Sequence, residues 1–212
     1  MLFRYLFILL ILLPIKAFAL IEVDITRGNL NPLPVAVSPL DIDKNSKDNF
    51  KKILKKENLG VEISTIVENN LKQSGLFNPL NKEAFLQEPD IANLKPRFED
   101  WNLIKAQALI TGKVTLVDEK LRVEFRLWDV LAGKEMMALA FTTVPNNWRR
   151  VGHIITDKVH ERLTCEDDYL DTRITHVSEK GPKTNRIKTL SHMDPDGYNN
   201  NFLTLLHHLL QT

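Results

Sequence analysis

Ala108-Leu109-Ile110-Thr111-Gly112-Lys113-Val114, then Leu121-Arg122-Val123-Glu124-Phe125-Arg126-Leu127-Trp128, then the run from Met136 to Thr142, decide the architecture of this 212-residue chain. The links between them, Asp118-Glu119-Lys120 and Leu131-Ala132-Gly133-Lys134, are hairpin-sized, so the three runs are expected as an antiparallel meander. In the middle run Val123, Phe125 and Leu127 share one face, with Arg122, Glu124 and Arg126 on the other. One side of the sheet should therefore be core and the other wet.

Downstream, Asn146-Asn147 can cap a long helix whose Trp148, Val151, Ile155, Val159 and Leu163 form an apolar stripe. Upstream, Leu59, Ile63, Ile66, Val67 and Leu71 recur at helical spacing, and Gly75 stands where a left-handed cap belongs, so a helix is expected over 57–74. Leu76-Phe77-Asn78-Pro79-Leu80 should leave it as an extended hook, followed by a polar stretch and a short helix carrying Phe98, Trp101 and Ile104 after Pro96. Pro34-Val35-Ala36-Val37-Ser38-Pro39-Leu40 reads as a buried strand. The lysine-rich stretch from Asp41 to Lys56 reads as a loop or the solvated start of a helix. These elements make an α/β layer over residues 20–164, two main helices against a mixed sheet.

Cys165-Glu166-Asp167-Asp168 is a polar linker. Beyond it Thr172–Val177, Arg186–Ser191 and Phe202-Leu203-Thr204 read as three short strands around turns at Glu179-Lys180-Gly181-Pro182 and Asp194-Pro195-Asp196-Gly197. Residues 205–212 are Leu- and His-rich and continue neither the period nor the turn pattern.

At the other end, Arg4, the apolar run Leu6 to Leu13 and Ala17-Phe18-Ala19 have the form of a secretory signal peptide over 1–19. The apolar run is well short of the roughly 20 residues a membrane-spanning helix needs. Cleavage is expected after Ala19, with the mature chain in the periplasm. No cysteine follows the apolar run to carry a lipid, so no direct membrane anchor is expected after cleavage. Arg4 and Lys16 leave with the leader, which turns 28 Lys+Arg against 27 Asp+Glu into 26 against 27. That balance gives no electrostatic reason to expect nucleic acid. The lone Cys165 cannot form an intramolecular disulfide, and stability must come from the core.

Motifs that carry chemistry are few in this chain. His207-His208 lack a third ligand nearby, and Asp194-Pro195-Asp196-Gly197 brings its glycine two positions too early for a calcium loop, which leaves a β-turn. There is no glycine-rich phosphate cradle, HExxH or Gly-x-Ser-x-Gly. His153 and Cys165 have no dyad spacing, and His153 is expected to fall off the apolar stripe toward solvent. The expectation is accordingly no catalytic residue, no metal ligand and no cofactor. Ile21-Glu22-Val23-Asp24-Ile25 alternates as a half-buried edge strand would, or as a free arm that pairs with a partner.

Several of these stretches resemble the TolB family of the Tol–Pal envelope system. They are Pro34–Leu40, Ile66–Leu80, Leu109–Val114, Arg149–Val159 and Thr172-Arg173-Ile174, while Met193-Asp194-Pro195-Asp196-Gly197-Tyr198-Asn199 is similar to the start of the family's propeller repeat. The resemblance implies an N-terminal α/β domain over 20–164, the beginning of a β-propeller over 165–204 and an unrelated tail over 205–212. A member of the family continues into a six-bladed propeller, whereas this chain stops inside what resembles the first blade, as a frame change would produce. The resemblance also implies a noncatalytic adaptor that maintains outer-membrane integrity and supports invagination at division. Its TolA-facing element would be Leu20, Ile21, Glu22, Val23, Asp24, Ile25 and Thr26, joining the partner by strand addition, and an internal edge strand is the open alternative. In the family Pal binds the propeller, so that partner is expected to be lost here. The other readings are a truncated, non-functional remnant and, further off, a periplasmic ligand-binding protein or enzyme.

Overall fold

The computed structural model describes residues 31–167, 170–182 and 186–206. The expected signal peptide, the segment Leu20–Thr26 and His207-His208 lie outside the described residues. The meander is present as β4 (Ala108–Val117), β5 (Lys120–Asp129) and β6 (Lys134–Thr143), each strand antiparallel to the next. Asp118 and Glu119 close its first hairpin with φ of 48° and 59°, the left-handed pair that a two-residue turn between twisted strands requires.

Two further strands extend the sheet on the β4 side. β1 (Leu33–Val37) lies parallel to β4, and β3 (Phe77–Pro79) lies parallel to β1, giving the order β3-β1-β4-β5-β6. The two-residue β2 (Asp41–Ile42) also pairs with β4 in parallel. Parallel pairing beside an antiparallel meander makes the sheet mixed, as expected.

The two main helices fall where the periodicity puts them. They are α2 (Leu59–Gln73), with Gly75 at φ +74° just past its end, and α5 (Trp148–Thr164). Both lie on the face carrying Leu121, Val123, Phe125 and Leu127, and Ile63, Val67, Leu71, Val151, Ile155, Val159 and Leu163 are buried against that face. The helices approach so closely at Gly152 that a Cβ there would sit 2.9 Å from Ile66 Cγ2.

Of the two readings of residues 41–56, the loop is not what forms: the helical alternative holds, as α1 (Lys44–Leu54), whose N-cap Asp43 accepts from the Asn45 amide at 3.2 Å. Phe50 is buried and anchors it in the main core, so the lysines are the wet side of a docked helix. Nor is the other sheet face wholly wet. The short α3 (Pro89–Leu94) and α4 (Phe98–Leu103) cover its β1–β4 side with a second cluster of Ala36, Ala92, Trp101, Ala106, Leu109 and Val130. The Arg122–Glu124 pair stays on the uncovered part.

After the linker come β7 (Ile174–Lys180), β8 (Ile187–Met193) and β9 (Asn201–Leu206), a separate antiparallel three-stranded sheet. β9 pairs Leu205 and Leu206 with Thr189 and Lys188, so the strand runs two residues past the expected break at 204. Among the described residues no helix is long and apolar enough to cross a membrane.

Candidate functional site

A polar concavity lies where the first turns of α5 meet the second sheet. It is a cavity of about 350 Å³ whose lining includes Arg149, Arg150, His153, Asp171, Arg173 and Asp194. The helix supplies three of these side chains because 149, 150 and 153 lie outside its apolar stripe. Arg150 grips Asp171 with two parallel bonds, Nε to Oδ1 and a terminal nitrogen to Oδ2, each 2.9 Å. Arg149 pairs with Asp196 and stacks its guanidinium on the Tyr198 ring, 3.9 Å from the centroid. Deeper along α5, Asp157 accepts from the amides of Leu170 at 2.7 Å and Asp171 at 2.6 Å. These contacts fasten the linker and the 194–199 turn to the helix.

Asp194-Pro195-Asp196-Gly197 is a β-turn, as its residues indicate. The Gly197 amide bonds the Asp194 carbonyl at 2.9 Å, with Gly197 at φ +83°. A second loop bond runs from the Asp194 amide to the Tyr198 carbonyl at 2.8 Å. The turn therefore presents Asp196 to α5 on a rigid support.

His153 does not face solvent, contrary to expectation. It is 3% exposed, packed between α5 and α2. Asn70 and Thr156 pack around it. Thr156 donates its hydroxyl proton to the Gly152 carbonyl at 2.9 Å and is left to accept from Asn70 Nδ2 at 3.4 Å. The same Asn70 side-chain nitrogen lies 2.8 Å from His153 Nδ1. The other ring nitrogen, Nε2, lies 3.8 Å from Asp196 Oδ2. Burial holds the imidazole below its ordinary pKa, against the opposing pull of Asp196 and Asp194 and with the help of Arg149.

The junction was not singled out from the sequence. His153, Thr156 and His160 do recur at helical spacing beside the apolar stripe. That second stripe was the available signal for a polar seam facing α2. Cys165, by contrast, is exposed at the left-handed end of α5 and takes no part in the seam.

The TolB amino-terminal domain family matches residues 21–136. A "Tol-Pal system protein TolB" of Pelagibacter ubique (strain HTCC1062) is 81% identical over 212 residues, covering 100% of this chain and 48% of the relative. The chain thus spans about half the length of that curated relative. In structure it is similar to the crystal structure of TolB from Acinetobacter baumannii, with a TM-score of 0.65 at 20% identity over 82% of this chain and 39% of that one. That likeness supports the mixed α/β fold. With the family match spanning more than half of its residues, the chain belongs to the TolB family.

Proposed function

We propose that the chain is a periplasmic component of the Tol–Pal system, a noncatalytic protein-binding adaptor that helps maintain the outer membrane and its invagination at division. The observation that carries this reading is the 81% identity to a Tol-Pal system protein along the whole chain. On this reading residues 1–19 are a cleaved leader, 20–164 form the adaptor domain, and the blade-like segment from 165 extends to Leu206, where β9 ends. The TolA-facing element is Leu20–Thr26, whose alternation suits strand addition to a partner's sheet edge. Pal is assigned to no residue here, because the resemblance places its surface in the propeller.

One observation favours a second reading, a remnant that has lost its activity. Val177, Phe202 and Leu203 of the second sheet are 51%, 73% and 54% exposed, an apolar surface left without cover. Calorimetric titration of residues 20–212 against the C-terminal domain of TolA, and against Pal, separates the two. The adaptor reading expects saturable TolA binding that disappears in a chain starting at Gly28. A folded chain that binds neither partner overturns it and leaves the remnant.

A further inference from the structure

The near-balance of charge along the chain hides a segregation. Residues 44–56 hold six lysines against one acid, Asp48. Phe50 anchors α1 in the core, and Lys44, Lys47, Lys51, Lys52 and Lys55 are all left exposed. Lys44, Lys47, Lys51 and Lys55 follow one another at steps of three and four, which sets them along one side of the helix in a strip roughly 15 Å long.

Few acids answer these charges. Glu57 takes Lys51 in a pair open to solvent on both sides, and Glu62 takes Lys56. Among the described residues Lys44, Lys47, Lys52 and Lys55 meet no carboxylate at ion-pair distance. A fixed row of unpaired cations is complementary to an extended anionic surface. Its chemistry favours one kind of surface. The strip carries no arginine to clasp a phosphate in a fixed fork and no aromatic ring to stack on a base, whereas lysines on flexible stems suit a diffuse layer of lipid headgroups.

We propose that α1 is a peripheral docking surface for anionic phospholipid, its lysine strip lying along the headgroups while Phe50 holds the helix to the core. The choice of lipid rests on the periplasmic reading of the chain. The docking itself is read on the purified chain and so holds or fails apart from TolA binding.

The test is flotation of residues 20–212 with vesicles of phosphatidylcholine, alone or mixed with phosphatidylglycerol, over a range of sodium chloride. The expected result is saturable binding to the mixed vesicles only, weakening as salt rises. Each lysine near such a surface contributes about fivefold in affinity, so the triple variant Lys44→Gln/Lys47→Gln/Lys52→Gln should bind on the order of a hundredfold more weakly, with its melting curve unchanged. A second triple, Lys72→Gln/Lys95→Gln/Lys105→Gln, removes the same charge at exposed lysines elsewhere and should bind as the parent does. Four results would overturn the proposal: no binding to the mixed vesicles, equal binding to phosphatidylcholine alone, an equal loss in both triples, or tighter binding to a DNA duplex or to polyglutamate than to the vesicles.

Discussion

His153 is the residue whose behaviour the neighbouring atoms constrain most. Its folded pKa lies below the ordinary value of 6.5, so the unfolded chain takes up a proton first as pH falls. Its contribution is complete above about pH 6.5 and shrinks as pH drops from there toward the folded pKa, by at most about 1.4 kcal/mol per pH unit. Urea unfolding between pH 7.5 and 5 should show a steeper loss in the native chain than in His153→Gln. Parallel pH profiles would contradict the assignment. At the first hairpin, Glu119 occupies the left-handed region at φ 59°, where a side chain costs about 1 kcal/mol. Glu119→Gly should accordingly raise stability by about 0.5–1 kcal/mol, read as a higher urea midpoint. The turn was legible from Asp118-Glu119-Lys120, but the burial of His153 was not. A helical wheel places that residue beside the stripe without saying that a second helix, bringing Asn70, covers the adjacent face.

At the scale of elements, legibility followed how strongly each element patterns its own residues. β5 alternates without interruption, and its buried residues are those of the expected face, Leu121, Val123, Phe125 and Leu127. α2 has five apolar positions at helical spacing and a glycine after its end, and it runs from Leu59 to Gln73. α1 was legible only as one of two alternatives, because its apolar positions are diluted: Phe50 is fully buried and Leu54 only partly so, among five lysines over 44–55. Tertiary docking overrides that weak local signal. Phe50→Ala should therefore cost about 3–5 kcal/mol, while Lys47→Ala on the exposed side should stay within about 0.5 kcal/mol, both measured by urea unfolding. Equal effects would mean that α1 is not docked. Gly152 makes a complementary case, since Gly152→Ala must push α5 away from Ile66 and should lower the melting temperature despite alanine's better helix propensity.

At the scale of the molecule, a cored α/β layer carries a small second sheet with an uncovered apolar surface. The sheets are joined through α5 by contacts of unequal weight. The Arg150–Asp171 pair is mostly exposed on its arginine side and contributes little, about 0–1 kcal/mol. The Arg149–Asp196 pair is largely buried, and losing one partner strands a charge. Arg149→Ala should speed tryptic cleavage at Lys180 and Lys188 several-fold over Arg150→Ala, while fragments of the first sheet persist. Equal cleavage would show that Arg149 does not hold the turn. The mixed sheet and the existence of three later strands were readable in the chain. The way they dock was not, because it depends on ion pairs between residues 21 to 47 positions apart.

The adaptor reading assigns binding to Leu20–Thr26, a segment outside the described residues. Hydrogen–deuterium exchange of residues 20–212, with and without the C-terminal domain of TolA, tests that most directly. Slowed exchange confined to peptides covering residues 20–26, with the meander unchanged, is the expected result. No slowing there at saturating TolA, from a chain whose β4–β6 amides remain protected, would contradict it.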